Sequence, residues 1–152
     1  NAHRHVVGDH RDLAFHVAAP GHVLERNRIA RAKETVAAAR INAEVAGVDH
    51  LIEFEVCDFA ETPIPEGTGV VFLNPEYGER LGEEQELAET YSRIGDFFKQ
   101  KCKGYTGYIF TGNLNLAKRI GLKAKRRIEF FNGKFDSRLL EYELYQGSRK
   151  EV

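Results

Sequence analysis

Four consecutive apolar residues, Val70-Val-Phe-Leu73, stand between a loop holding Pro63, Pro65, Gly67 and Gly69 and the dipeptide Asn74-Pro75. The run is too short for a helix and has no alternating polar position. It reads as a strand buried on both faces, the kind found in a parallel sheet covered by helices. Asn74-Pro75 ends it, because proline cannot donate to a strand ladder. The patterns on either side agree. Ile29, Ala32, Val36, Ala39, Ala43 and Ala46 recur at helical spacing from Asn27 to Ala46, and Gly47 supplies the stop. Ile52, Phe54 and Val56 then alternate with Glu53 and Glu55, predicting a strand over Leu51–Val56 that ends at Cys57-Asp58-Phe59.

Beyond the apolar run, Leu87, Tyr91, Ile94 and Phe98 predict an amphipathic helix from Glu84 to Lys101, closed by Gly104. Tyr105–Thr111 reads as a further strand, and Gly112-Asn113 leads into a short helix through Lys118. Arg127–Phe131, the turn signal Asn132-Gly133, and Leu140, Tyr142 and Leu144 facing opposite to Glu141 and Glu143 predict a closing hairpin. Residues 1–24 give no clear period, showing only the pair Val6-Val7 and a break at Pro20-Gly21. Alternating helices and strands argue for an open α/β sheet, made mixed by the hairpin, with an α+β domain as the alternative.

At 152 residues the chain is one domain or part of one, and 42% apolar residues suffice for a core. Lys plus Arg number 22 against 23 Asp plus Glu, a net charge of −1, so binding to nucleic acid would have to come from a local patch. Cys57 and Cys102 are the only cysteines, which excludes a disulfide framework and suits a reducing cytosol, hence a cytoplasmic protein. No apolar run approaches ~18 residues, so no membrane partner is expected. The chain starts at Asn1 with neither a signal nor a transit pattern, and we read it as a fragment.

Ligands of open α/β sheets gather at the carboxyl ends of strands. That rule selects Cys57-Asp58-Phe59, Asn74-Pro75-Glu76-Tyr77-Gly78 and Thr111-Gly112-Asn113. In the second segment, the Asn74 side-chain oxygen and the Pro75 carbonyl suit the two hydrogens of an exocyclic amine, and Tyr77 suits a flat ring. The same residues also read as a plain turn. Lys118, Arg119, Lys123, Lys125, Arg126 and Arg127 put six cations into ten residues without an acid, a candidate contact for RNA phosphates or else a solvated loop. Arg80 could reach a phosphate too, or pair with Glu79 or Glu83.

Five of the six histidines (His3, His5, His10, His16, His22) cluster near the start, but their spacing fits no familiar zinc site and no metal is expected. Ser92, Ser137 and Ser148 lie in no nucleophile elbow, which argues against a covalent hydrolase. The absence of G-x-G-x-x-G argues against a nicotinamide oxidoreductase.

Several spaced motifs carry a resemblance: Ala38-Ala-Arg-x-Asn-Ala-x-x-Ala-Gly-Val48, Ile52-x-Phe54 with Asp58, Asn74-Pro-Glu-Tyr-Gly-Glu-Arg-Leu-Gly82, Tyr91 with Gly95-Asp-Phe-Phe-Lys99, Phe110-Thr-Gly-Asn113 with Leu116-Ala-Lys118 and Ile120-Gly-Leu122, and Asn132-Gly133 with Arg138-Leu-Leu-Glu-Tyr-Glu-Leu-Tyr145. In this order, across Asn27 to Tyr145, they resemble the catalytic part of the THUMP-associated 23S rRNA guanine-N2 methyltransferases, formerly described as N6-adenine-specific DNA methylases. The resemblance implies a Rossmann-like class I methyltransferase sheet, mostly parallel with a C-terminal antiparallel hairpin and incomplete in this chain. It implies S-adenosylmethionine as cofactor and large-subunit rRNA as partner.

By the same resemblance, Asn74, Pro75 and Tyr77 hold the target amine and base, while Asp58, with Phe59 beside it, meets the cofactor adenine. Glu25 is favoured over Asp9 for the cofactor ribose. Two departures stand out. Glu76 replaces the second proline of the family's Asn-Pro-Pro-Tyr, and no G-x-G precedes the helix, the only such triplet being Gly67-Thr-Gly69. A truncated RNA-binding module without catalysis, or a methyltransferase acting on DNA adenine, is therefore the rival expectation.

Overall fold

The computed structural model describes residues 13–17, 25–77, 84–132 and 135–146. The chain divides into two compact units, Asn1–Thr62 and Pro63–Val152.

The first unit is a strand, helix, strand arrangement. Strand β1 (Leu13–Val17) pairs in parallel with β2 (Ile52–Val56), and helix α1 (Glu25–Ala46) connects them. Val36 and Ala43, seven residues apart on one face of α1, are buried. The helix stops where the residue pattern predicts. Gly47 takes φ 70°, its N–H donates to the Glu44 carbonyl (3.0 Å), and Val48 N–H reaches back to Ala43 (2.9 Å). This paired closure satisfies carbonyls that the helix end would leave bare. In β2, Ile52, Phe54 and Val56 are half-buried and Glu53 and Glu55 exposed, as their alternation predicts. Arg40 ties α1 to β2, donating to the Phe54 carbonyl at 2.7 Å with its guanidinium 5.2 Å from the Phe54 ring centre. Strand β1 was not expected: its five residues, Leu-Ala-Phe-His-Val, hold a single polar position, so no apolar–polar alternation shows, and its partner lies beyond a whole helix.

The second unit holds a four-stranded sheet in the order β3 (Val70–Leu73), β4 (Thr106–Thr111), β6 (Phe135–Glu143), β5 (Arg126–Asn132). The β3 and β4 strands are parallel and joined through α2 (Glu84–Lys101), whereas β6 runs antiparallel to both β4 and β5. The sheet is thus mixed and partly parallel. Helix α3 (Leu114–Ala117) and a 3-10 turn at Lys118–Ile120 follow β4.

Leu87, Tyr91, Ile94, Phe97 and Phe98 of α2 are buried, as are Ile109, Thr111, Leu140 and Tyr142, which alternation and register place on one sheet face. Phe98 lies so close to Gly107 that a Cβ there would sit 2.7 Å from its ring, and its centroid is 5.9 Å from that of Tyr142. Fully burying side chains of this size contributes ~1.5–3 kcal/mol each, so this face holds the core of the unit.

The both-face burial expected of Val70–Leu73 is corrected here. Val70 is 54% and Phe72 58% exposed, while Val71 and Leu73 are half-buried. The reason is position: β3 is an edge strand of the described sheet, and Val70 and Phe72 are in register with Thr106 and Tyr108, on the face opposite to the one where Phe98 of α2 lies against Gly107. The alternation expected in β6 is present, but the two outward acids differ in burial. Glu141 is buried, unlike exposed Glu143, because it lies between its register neighbours Tyr108 and Arg126. Among the described residues, no helix is long and apolar enough to cross a membrane, and no cluster of His, Cys, Asp and Glu could hold a metal. His3, His5, His10 and His22 lie outside those residues.

Candidate active site

In the second unit, β3 delivers its chain directly into Asn74-Pro75-Glu76-Tyr77. Asn74 and Glu76 are exposed, and Pro75 and Tyr77 half-buried. The Asn74 amide makes no side-chain hydrogen bond among the described residues, so its oxygen can accept from a ligand. Leu73 lies opposite Ile109, and β4 runs on to Thr111, so the segment after β4 comes to lie beside this turn.

Contact between the two segments is close. A Cβ on Gly112 would fall 2.8 Å from Cε2 and 3.0 Å from Cδ2 of Tyr77, so the phenol ring rests directly on the glycine backbone. Asn113 Nδ2 donates to the Tyr77 carbonyl at 3.4 Å. Its Oδ1 accepts from the N–H groups of Asn115 and Leu116, both at 3.0 Å, capping α3. The Asn113 N–H in turn donates to Thr111 Oγ1 (3.1 Å), and that hydroxyl shares a 2.7 Å hydrogen bond with the Tyr91 phenol, both groups being buried. Burial pushes the Tyr91 phenol up to about 12; the Thr111 hydrogen bond opposes this, and the nearby Tyr77 phenol adds to it. The strand-end rule selected Asn74–Gly78 and Thr111–Asn113 separately, but assigned no role to Gly112, Asn113 or Tyr91. An Asn just ahead of Leu114-Asn-Leu-Ala117 is a capping signal that could have fixed the position of Asn113.

In the first unit, Asp58 lies two residues past the end of β2 and caps the 3-10 turn Phe59–Glu61, its Oδ1 accepting from Ala60 N–H at 2.9 Å, which orients the carboxylate. Phe59 is buried. Burial raises the Cys57 thiol, which lies 3.8 Å from the Thr62 hydroxyl. Glu25 is the first residue of α1, and its rival Asp9 lies outside the described residues.

The basic segment is less bare in space than in sequence. Lys125 pairs with Glu143 at 3.0 Å and Arg126 with Glu141 at 3.5 Å across the hairpin. Lys118, Arg119, Lys123 and Arg127 are exposed and make no ion pair among the described residues. Arg80 lies outside them.

The Asn-Pro-Glu-Tyr turn after β3 is thus braced by the end of β4. Residues 29–141 match the family model described as RMKL-like, methyltransferase domain (UPF0020). The chain belongs to that family. A ribosomal RNA large subunit methyltransferase K/L of Syntrophotalea carbinolica is 37% identical over 118 residues, covering 75% of this chain and 16% of that protein. A solved structure described as a possible methylase from Clostridium difficile 630 aligns with TM-score 0.68 and 31% identity over 78% of this chain and 31% of its own. Another, solved in complex with SAH, shares the fold at TM-score 0.66 and 24% identity, over 74% of this chain and 30% of that one. The chain thus spans less than a third of the length of each of these relatives.

Proposed function

We propose that the chain forms part of a catalytic domain that moves a methyl group from S-adenosylmethionine to the exocyclic amine of a guanine in large-subunit rRNA. The observation that carries this reading is an exposed asparagine, Asn74, just past the end of β3, three residues ahead of a tyrosine whose ring is seated on Gly112. Membership in a methyltransferase family supports it, as does the rRNA specificity in a relative's name. The solved neighbour with SAH supports the choice of cofactor.

The residue types fit that cofactor at its adenine end: the Asp58 carboxylate, oriented by Ala60, suits an exocyclic amine, and Glu25 suits a ribose hydroxyl. When bound, the cofactor supplies an electrophilic methyl on a sulfonium. The chain's part is positional. An aromatic amine is a weak nucleophile because its lone pair is delocalised into the ring. Accepting its two hydrogens at Asn74 Oδ1 and the Pro75 carbonyl turns the nitrogen lone pair out of the base plane. Stacking on Tyr77 fixes the plane itself, and such orientation supplies most of the acceleration in a reaction of this kind. Lys118, Arg119, Lys123 and Arg127 would meet phosphates of the RNA.

The test uses the full-length protein, unmodified large-subunit rRNA and methyl-labelled cofactor, with the nucleosides identified by mass spectrometry. N2-methylguanosine should form, and Asn74→Ala should slow it on the order of 100-fold. Absence of this nucleoside, or an Asn74→Ala rate equal to the parent's, overturns the assignment. A second reading, RNA binding without turnover, draws on Glu76 and on the lack of a G-x-G ahead of α1. Calorimetric binding of S-adenosylhomocysteine that Asp58→Ala weakens would defeat it.

A further inference from the structure

We infer that Thr111-Gly112-Asn113 is a positioning element for Tyr77, a backbone shelf that sets the plane and height of its ring. The inference deepens the proposed site and rests on the reading that Tyr77 receives the base.

Three independent contacts converge on this shelf. The first is steric: the Tyr77 ring occupies the volume that any side chain at 112 would need, with two ring carbons within 3.0 Å of that Cβ position. No flexible end of a side chain is involved on the glycine side, so the ring must move if a methyl group is added. The second is polar: Asn113 Nδ2 holds the Tyr77 carbonyl at 3.4 Å, while Oδ1 of the same amide is fixed by two backbone donors of α3. The amide therefore cannot turn toward Tyr77 or away from it without uncapping the helix. The third locks the shelf itself: Thr111 Oγ1 binds Asn113 N–H and the fully buried Tyr91 phenol, so α2 anchors the end of β4. A half-buried ring on a strand-end turn has freedom that a buried one lacks, and the shelf removes it. Displacing a reacting group by as little as ~1 Å can cost 10²-fold in rate.

Two variants separate this role from simple stability. Gly112→Ala adds one methyl under the ring. Asn113→Asp keeps an oxygen acceptor for the α3 cap, which aspartate fills as well as asparagine does, and deletes only the donor to Tyr77. Full-length protein carrying ¹³C-labelled tyrosine, with the Tyr77 signals assigned by Tyr77→Phe, reports the ring directly. Both variants should shift those signals while leaving the α3 amides protected. In methyl-transfer assays kcat should fall on the order of 10- to 100-fold with KM for RNA little changed. Unchanged Tyr77 signals in both variants overturn the shelf, and so do shifted signals with normal turnover when Asn74→Ala is inactive. If Tyr77→Ala and Asn74→Ala both turn over normally, the base-holding reading fails instead, and the ring signals alone decide whether the shelf exists.

Discussion

Glu76 stands in the turn where the resembled family has a second proline. Its N–H makes no backbone hydrogen bond among the described residues, so a proline there would give up no donor and would stiffen the chain before Tyr77. Glu76→Pro in the full-length protein should therefore raise methyl-transfer activity, measured with unmodified rRNA; a lower rate would mean that Glu76 has been adapted to a different substrate. At this scale the place of Asn74, Pro75 and Tyr77 just past the end of a strand was legible, because a polar turn after an apolar run stands out in any sequence. The bond from Asn113 to the Tyr77 carbonyl was not, since it joins residues 36 apart that only the parallel pairing of β3 with β4 brings together. The burial of Glu141 was not legible for a related reason: the period of a strand tells which face a side chain takes, and its burial depends on the strands to either side.

Helix α2 and the strands β2 to β5 were predictable to within about a residue, α2 and β2 from their periodicity and β3 from an apolar run between breakers, whereas for β6 only the end at Leu140–Leu144 was legible, not its start at Phe135. What no local pattern contains is the order of strands, in which β6 inserts between β4 and β5. Packing between elements makes a specific demand at Gly107, where α2 approaches the sheet through Phe98. Gly107→Ala should destabilise the second unit by about 1–3 kcal/mol, the usual cost of an extra carbon in a filled core, read from urea unfolding.

The hairpin likewise divides the basic segment into two kinds of cation. If RNA contacts it, Lys123→Gln and Arg127→Gln should each lower the slope of log affinity against log salt by about 1. Lys125→Gln and Arg126→Gln should lower it less, since Glu143 and Glu141 already neutralise those charges. Equal effects at all four positions would refute the distinction.

Across the whole molecule, the second unit carries three buried acids that hold their protons unusually well. Burial pushes the Tyr91 and Tyr142 phenols and the Cys102 thiol each up to about 12, against 10.0 and 9.0 for the free groups. Below pH ~9 both folded and unfolded chains keep these protons, and stability does not depend on them. Above it the unfolded chain releases them first, so stability falls as pH rises toward 12. Hydrogen exchange followed from pH 8 to 11 should show Pro63–Val152 loosening with alkali, and Tyr142→Phe should flatten that dependence; a flat parent profile would contradict the burial of these groups.

Strand β3 has a less welcome side. A short ribbon of backbone at the margin of the described sheet, with Val70 and Phe72 exposed, offers the same segment of a neighbouring molecule somewhere to zip on. Concentrated samples of this chain should turn cloudy on standing, and the outward charge introduced by Phe72→Lys should keep them clear.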